Sequence, residues 1–515
     1  MTRAAALVSV GNVTSRILGL AREIVKAYFF GAGGAVSAYD VAAQVPTMLY
    51  DLLAGQLLSS AIIPVFSDYV RSKDREELWE LFNLLLSLLV IIFGAFTVGI
   101  ELAAPQVAQL LGAGLPPEYL TLATQMLRIT TPATLFLGVA ALMSGALYAL
   151  ERFERPAFIS TVSNFTLVVC VILLGGTRLG TKSLAIGLLL GSLAQVLFQL
   201  GALRDVRFRF ISPLQGHPAL RTIGRLYLPI GLGLIVDQTA VALSYNLASR
   251  TGPSGIAWMK YAATLIQFPL GMVVTAVSVA ILPTLARYAT DAREENFSAT
   301  LAQGLRLVLI LVLPAAMAML VLAEPLVALV FQRNQFTYVD TLATAEALRF
   351  NLLGLVFAAL DQPLITAFYA RKDTWTPALV GVITVLFYTG LALAPLLFGE
   401  LYLWQLILAN SLKLTAHALL MLYLFNRKVG SLSAYQVTRT TLRALVAAII
   451  MALPMAGLVH LLHDIAQTGA LGGLLQLTAA GGIGLLCYLG IIKWLGVEEV
   501  ALLRQLLKNR RRNSR

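Results

Sequence analysis

Long apolar stretches restrict the fold of this chain more than any other feature of its sequence. A transmembrane helix needs about 20 mostly apolar residues to cross a hydrocarbon layer about 30 Å thick. The segments that meet this requirement are 5–30, 38–70, 82–111, 121–149, 157–176, 182–203, 220–249, 257–288, 301–331, 342–370, 377–398, 401–425, 438–462 and 470–494. Membrane β-barrels show shorter stretches of alternating polarity. We therefore expect an all-α polytopic membrane protein with 14 transmembrane helices.

The composition excludes several classes of function. Only 12% of the 515 residues are charged, whereas soluble proteins carry about 25%, so soluble enzymes and nucleic-acid binders are excluded. Cys170 and Cys487 both lie in apolar runs, and the four histidines show no metal-ligand spacing. The chain has no phosphate-binding loop of the ATPase type. We expect neither an enzyme nor a metal or cofactor protein.

Basic residues alternate between the predicted loops. One set of loops holds most of them, including Arg71, Arg152, Arg287 and Arg427, and the basic tail from residue 495 belongs to the same set. The opposite loops hold only four: Arg178, Lys182, Arg250 and Arg333. Basic loops remain in the cytoplasm, so the pattern predicts a multi-pass plasma membrane protein with both termini cytoplasmic.

The chain aligns with itself at one nearly constant shift in residue number. Matching pairs include Pro64 with Pro283, Pro105 with Pro325, Arg128 with Arg349, Tyr148 with Tyr369, and Pro156 with Pro377. We predict two parallel six-helix repeats, an N-lobe at 1–203 and a C-lobe at 220–425, joined by a linker at 204–219. Two extra C-terminal helices at 426–494 and the tail at 495–515 lie outside the repeat. Parallel repeats of this kind build transporters whose site lies between them near mid-membrane.

Ionisable residues within the apolar segments indicate where such a site would be. Each costs about 2.5–3.5 kcal/mol at the membrane centre even on lenient scales, so an interior position is expected. The first span carries Arg16, Arg22, Glu23 and Lys26. Arg22 and Lys26 are four residues apart and share a helix face. They could bind an anionic head group, since guanidinium binds phosphate in bidentate fashion; the alternatives are snorkelling or an ion pair with Glu23.

Further ionisable candidates occur in later spans. Asp40 follows the glycine-rich turn at 31–34, and Lys260 starts the eighth span. Asp237 in the seventh span is a candidate for binding a coupling cation or proton, or for pairing with a basic neighbour. Asp361 in the tenth span is either functional or a helix-packing residue.

Prolines also fall inside the apolar segments. Pro46, Pro64, Pro269 and Pro283 are the candidates for helix kinks. Pro64 and Pro283 occupy equivalent places in the two repeats. Paired kinks would suit bent gating helices, and structural curvature is the alternative.

Several motifs resemble those of a known family. The run Ser15–Arg22 and the turn Phe30–Gly33 resemble the first-helix signature of the MurJ (MviN) lipid II flippases. Tyr261-Ala262 with 267–271 resembles the family's eighth helix, and 367–377 resembles the turn between its tenth and eleventh helices. The match runs in order along the whole chain.

This resemblance implies a fold of the multidrug/oligosaccharidyl-lipid/polysaccharide (MOP) exporter superfamily. It also implies flipping of lipid II, an undecaprenyl-pyrophosphate-linked saccharide used in peptidoglycan biosynthesis, from the cytoplasmic to the outer leaflet. A cationic cavity would hold the pyrophosphate, with Arg16 and Arg22 at the matching positions. Lys26, Asp40 and Lys260 are further candidates for substrate binding. Spans thirteen and fourteen would form a groove for the lipid tail, and cell-wall synthesis proteins are candidate partners.

The chain departs from the family pattern at several cavity charges. Those positions are occupied by Ser37, Tyr50, Gly55 and Thr264. Some members bind sodium between the seventh and eleventh helices, where this chain offers Asp237 but only hydroxyl groups on the eleventh. The departures leave three other functions open: export of another lipid-linked saccharide, export of small drugs, or a non-transporting scaffold for cell-wall synthesis.

Overall fold

In the computed structural model, the apolar segments form long α-helices. The structure describes residues 2–52, 62–72, 75–203, 206, 208–212, 217–291, 293–467 and 469–496. The helices are α1 (Thr2–Phe30), α2 (Gly34–Tyr50), α3 (Ile63–Ser72), α4 (Arg75–Leu102), α5 (Ala104–Leu111), α6 (Pro117–Thr130), α7 (Ala133–Ala149), α8 (Ile159–Leu174), α9 (Lys182–Leu200), α10 (Pro218–Arg250), α11 (Gly255–Pro269), α12 (Thr275–Thr290), α13 (Glu294–Val321), α14 (Ala323–Phe331), α15 (Tyr338–Ala370), α16 (Trp375–Leu393), α17 (Leu403–Lys428), α18 (Val437–Leu461), α19 (His463–Ala466) and α20 (Ala470–Trp494).

Within the described residues, twelve helical segments are long and apolar enough to cross a membrane. They correspond one to one with the third to fourteenth spans expected from the sequence. The first expected span is α1, and the second corresponds to α2 and α3 with residues 53–61, which lie outside the described part. The all-α polytopic fold is confirmed, and a count of 14 is consistent with it.

The helix lengths repeat along the chain. Helices α4 and α13 are both 28 residues long, and the repeat shift places the start of α13 opposite the start of α4. The segments Pro117–Ala149 and Tyr338–Ala370 each span 33 residues and are related in the same way. The start of α11 likewise falls opposite the start of α2. The internal repeat inferred from residue pairs therefore also appears in the lengths and order of the helices.

The chain divides into two units by its internal contacts. The first contains the described residues up to Lys260 together with Arg333–Thr337, and the second contains the remainder. Helix α10 belongs to the first unit, although the sequence assigns it to the C-lobe, because it contacts α2, α3 and α5. The lobe boundaries at 203 and 219 stay a prediction, and most of the tail and part of the linker lie outside the described residues.

In the first unit, α1 packs on α8 and α8 on α9. A side chain at Gly11 of α1 would overlap the backbone of Ala157, which shows how small residues let these helices approach closely. A separate apolar core joins α3, α4 and α7, with Phe66, Phe82 and Leu147 fully buried. Helix α1 is thus held by close packing against its neighbours despite its charges.

In the second unit, α15 and α17 form the most extensive helix pair. A side chain at Gly354 would come within 2.8 Å of the backbone of Ser411, and Ser411 Oγ donates a hydrogen bond to the Phe350 carbonyl at 2.7 Å. Helices α18 and α20, which lie outside the repeat, pack on each other and on α13. Gly484 of α20 faces Met455 of α18 without room for a side chain.

The four prolines singled out in the sequence occupy different positions in their helices. Pro46 and Pro283 lie inside α2 and α12. Pro64 is the second residue of α3 and follows the π-helical Ile62. Pro269 ends α11 and is followed by a π-helical turn, Leu270–Val274. A local irregularity of this type is the expected response to a missing backbone donor.

Candidate functional site

A tight turn brings the charges of α1 next to α2. Gly31 ends α1 with φ +67°, a conformation that glycine adopts without steric cost. Helix α2 then begins at Gly34, where a side chain would overlap the ring of Tyr119. Because the turn is short, the start of α2 stays near the end of α1, and Asp40 comes within 3.2 Å of Lys26.

Four side chains form a buried ion cluster, defined here as Arg22, Glu23, Lys26 and Asp40. Lys26 Nζ lies 2.7 Å from Glu23 Oε2 and 3.2 Å from Asp40 Oδ1, and the Lys26 side chain is only 2% exposed. The cluster contains two cations and two anions. Mutual pairing offsets the large cost of removing these charges from water.

Arg22 is the cluster member that opens toward the surroundings. Its Nε and Nη2 atoms donate to Glu23 Oε1 at 3.1 and 2.8 Å, and Nη1 donates to Asn164 Oδ1 of α8 at 3.1 Å. The Arg22 side chain is 37% exposed, whereas that of Glu23 is 7% exposed. Glu23 and Asn164 therefore hold the guanidinium in one orientation while part of it stays accessible.

Lys260 adjoins this cluster from α11. Its ammonium lies 5.7 Å from the ring centroid of Tyr245, and Tyr245 donates its hydroxyl proton to Gln44 Oε1 at 2.7 Å. Lys260 also interacts electrostatically with Asp40 and with Asp51, which directly follows α2. Three of the predicted substrate-binding residues thus meet in the buried ion cluster, and Lys260 extends it toward α10 and α2.

The other predicted site residues lie apart from the buried ion cluster. Arg16 is half-buried on α1, nearer its N-terminus than Arg22. Asp237, the ion-coupling candidate, is exposed on α10. Of the positions that lack family charges, Ser37 is buried and its Oγ accepts a hydrogen bond from the Ala257 amide at 3.3 Å. Gly55 lies outside the described residues.

Asp361, named in the sequence as functional or helix-packing, contacts a histidine that the sequence did not single out. His417 Nδ1 lies 2.8 Å from Asp361 Oδ1 between α17 and α15, and both side chains are largely buried. Lys413 lies one turn before His417, with its ammonium 5.8 Å from the Tyr388 ring centroid. The sequence signal that could have found such a residue is an ionisable side chain inside an apolar span. Lys413 carries this signal, as the charged residues of α1 do. Asn164, by contrast, carries no sequence signal that distinguishes it from other intramembrane asparagines.

The described part of the chain contains no group of three or more His, Cys, Asp or Glu side chains arranged to hold an ion. Cys170 and Cys487 are both free thiols.

Comparison with known proteins identifies the family. The sequence model described as "Lipid II flippase MurJ" matches residues 26–478. A probable lipid II flippase MurJ of Vibrio cholerae is 29% identical over 96% of this chain and 95% of its own length. The lipid II flippase MurJ of Burkholderia cenocepacia is 29% identical over 89% of both chains.

Solved structures show the same fold. The structure titled lipid II flippase MurJ, inward closed conformation, has a TM-score of 0.79 at 24% identity and covers 98% of this chain and 100% of that chain. An inward-facing multidrug resistance MATE transporter of the MOP superfamily has a TM-score of 0.71 at 17% identity, covering 82% of this chain and 96% of its own. With its membrane-spanning helices and a family match over most of its length, the chain is a multi-pass integral membrane protein that belongs to the lipid II flippase MurJ family.

Proposed function

We propose that this protein is a flippase that moves lipid II from the cytoplasmic to the outer leaflet of the plasma membrane. The observation that carries the proposal is the buried ion cluster on α1 and α2 in a member of this family. A lipid-linked pyrophosphate is a dianion whose phosphate oxygens accept hydrogen bonds, and a planar guanidinium binds two such oxygens at once with paired hydrogen bonds. A partly accessible arginine inside a membrane bundle suits this ligand.

The residues of the site have different proposed roles. Arg22 binds the pyrophosphate directly, and Arg16 provides a second cation nearer the N-terminus of α1. Glu23 orients Arg22, while Lys26 and Asp40 join α1 to α2 and keep the local charge balanced. Lys260 contributes a third cation, with its ammonium positioned by the Tyr245 ring.

The transport cycle is proposed from the repeat. Two parallel repeats that rock against each other expose a central site alternately to each side, and the loop charges favour cytoplasmic termini. Asp237 is proposed to bind a coupling sodium ion or proton. Helices α18 and α20 are proposed to carry the lipid tail. In support, both expose large apolar side chains, among them Leu453 and Leu486.

Replacement of Arg22 tests the proposed cargo. Hydrogen bonds to charged groups contribute about 1.5–3 kcal/mol, so Arg22→Ala should weaken binding about 10- to 150-fold. We expect the variant to fail to support growth of a flippase-depleted bacterium, and Arg22→Lys to retain part of the activity. Arg128→Ala is the matched control, because the Arg128 ion pair with Glu101 is exposed and exposed pairs contribute little to stability.

A vesicle assay separates transport from a scaffold role. Purified protein is reconstituted with lipid II, and the lipid that becomes accessible in the opposite leaflet is measured for the wild type, Arg22→Ala and Arg128→Ala. The proposal requires transport by the wild type and the Arg128 variant but not by Arg22→Ala. Full growth and full transport by Arg22→Ala at normal protein levels would contradict it.

A further inference from the structure

A loop of the second repeat binds the end of α1, and we call this contact the first latch. Asn334 Nδ2 and the Gln335 amide both donate to the carbonyl of Tyr28, at 3.1 and 3.4 Å. The loop lies so close to Gly31 that a side chain there would come within 2.5 Å of the Gln335 carbonyl oxygen. The residues of this contact all belong to the first contact unit.

A loop of the first repeat binds the end of α10 in the same manner, which we call the second latch. The Gly114 amide donates to Ser249 Oγ at 2.9 Å, and Asn246 Nδ2 donates to the Leu110 carbonyl at 2.6 Å. A side chain at Gly114 would overlap the backbone of Arg250. This contact also lies within the first unit.

The two latches are equivalent under the internal repeat. One and the same shift carries Gly114 onto Gln335 and Tyr28 onto Ser249. In each latch, the loop between a short helix and the following long helix contacts the C-terminal end of the other repeat's first helix. The two latches are therefore reciprocal contacts at equivalent positions of the two repeats.

The latches lie close to the buried ion cluster. The first latch lies at the end of α1, just before α2, and the second lies at the end of α10, just before α11. Between α2 and α11, the fully buried Ser37 accepts the hydrogen bond from the Ala257 amide. Asp40 follows Ser37 by about one helical turn. The loops involved are those that carry few basic residues, which places the latches on the outer side under the proposed orientation.

We infer that the two latches are the positioning elements that close the outer end of the transport cavity and must both open before cargo can leave. This inference rests on the proposed function and names the gate of the same site. Each of the four bonds joins uncharged groups, so each is weak and reversible. Each bond of this kind shifts an equilibrium about two- to tenfold, so closure depends on several acting together.

A buried cysteine can report the state of the gate. Ser37→Cys is introduced in a background of Cys170→Ser and Cys487→Ser, which removes the two native thiols. A membrane-impermeant maleimide is applied to spheroplasts for access from outside, and to inverted vesicles for access from the cytoplasm. The rate of labelling from each side measures how often that side is open.

The latch variants remove one interaction each. Asn334→Gly keeps the positive φ of 52° but deletes the amide, and Ser249→Ala deletes the acceptor for Gly114. We expect each to raise the outside labelling rate about two- to tenfold and to lower the rate from the cytoplasm. Gly114→Ala should raise outside labelling further. Gly33→Ala is the matched control, because a side chain there meets open space, and its rates should equal those of the reporter alone.

Several results of the labelling experiment would overturn the inference or separate it from the proposed cargo. A merely loosened structure would label faster from both sides, and that result would overturn the inference. The inference would also be overturned if Asn334→Gly and Ser249→Ala, as folded and monodisperse proteins, were labelled from outside at the same rate as the control. If Gly114→Ala does not fold, these two variants alone decide the question. Labelling that responds as expected, without lipid II transport in vesicles, would refute the proposed cargo and leave the latches standing.

Discussion

Removal of Lys26 should destabilise this protein strongly. The Lys26 ammonium lies 2.7 Å from Glu23 and 3.2 Å from Asp40 and is almost completely buried. Lys26→Met keeps much of the side-chain volume but leaves two buried carboxylates with one remaining cation. Breaking a buried ion pair by removing one partner costs about 3–5 kcal/mol, and the partly exposed Arg22 cannot compensate because its pairing with Glu23 is screened by solvent.

A second substitution tests whether charge balance is the cause. In Lys26→Met/Asp40→Asn, the cluster retains one cation and one anion, so the double variant should recover part of the lost stability. Asp40→Asn alone leaves Lys26 paired with Glu23 and should cost about 1–3 kcal/mol. The interaction between the two substitutions should therefore be large and favourable, as for other residues in direct contact.

Unfolding midpoints of the purified variants in detergent micelles provide the assay. The expected order is wild type, Asp40→Asn, the double variant, and Lys26→Met as the least stable. Lys493→Met is the control, because Lys493 is exposed at the end of α20, and it should match the wild type. If Lys26→Met also matched the wild type, or if the double variant showed the sum of both losses, the charge-balance argument would be refuted.

Two more predictions concern the turn after α1 and a loop ion pair. Gly34→Ala should cost about 1–3 kcal/mol through its overlap with the Tyr119 ring; an unfolding midpoint equal to that of Gly33→Ala would contradict this. Burial alone would raise the pKa of Asp373, but hydrogen bonds from Thr376 and from Lys428 lower it below the usual value of 3.8. Its stabilisation is therefore present above about pH 4 and is lost as pH falls through the lowered pKa. The unfolding midpoint of Asp373→Asn should lie below that of the wild type at neutral pH. The difference between the two midpoints should become smaller as the pH falls below the usual carboxyl range. A difference that did not change with pH would show that the ionised form of Asp373 does not provide the stabilisation.

The sequence predicted the features that depend on local pattern. Hydropathy located the spans because backbone groups in lipid must bond within their own helix. The repeat was visible because paired prolines and polar residues kept their spacing. Arg22, Lys26 and Asp40 were expected in the interior on the cost of exposing charge to lipid, and the structure brings these three together.

Other features could not be predicted because they join distant parts of the chain. The pairing of Arg22 with Asn164 spans 142 residues, and that of Tyr245 with Gln44 spans 201. Neither has a local signature, since any intramembrane asparagine or glutamine could serve as the acceptor. The latches were even less visible, because their acceptors and donors are largely backbone groups that every residue carries.

The repeat also shows that only one half of the protein carries the cluster charges. The positions equivalent to Lys26 and Asp40 in the second repeat are Leu247 and Tyr261, and both are buried. A second copy of the cluster would have required another costly set of buried ions. An anionic head group would thus meet the cluster on the first repeat and only Lys260 on the second, while the reciprocal latches need both repeats. The proposed gate is therefore pseudo-symmetric, whereas the binding site is not. Substitutions in the latches should change access to the cavity, and substitutions in the buried ion cluster should change binding of the head group.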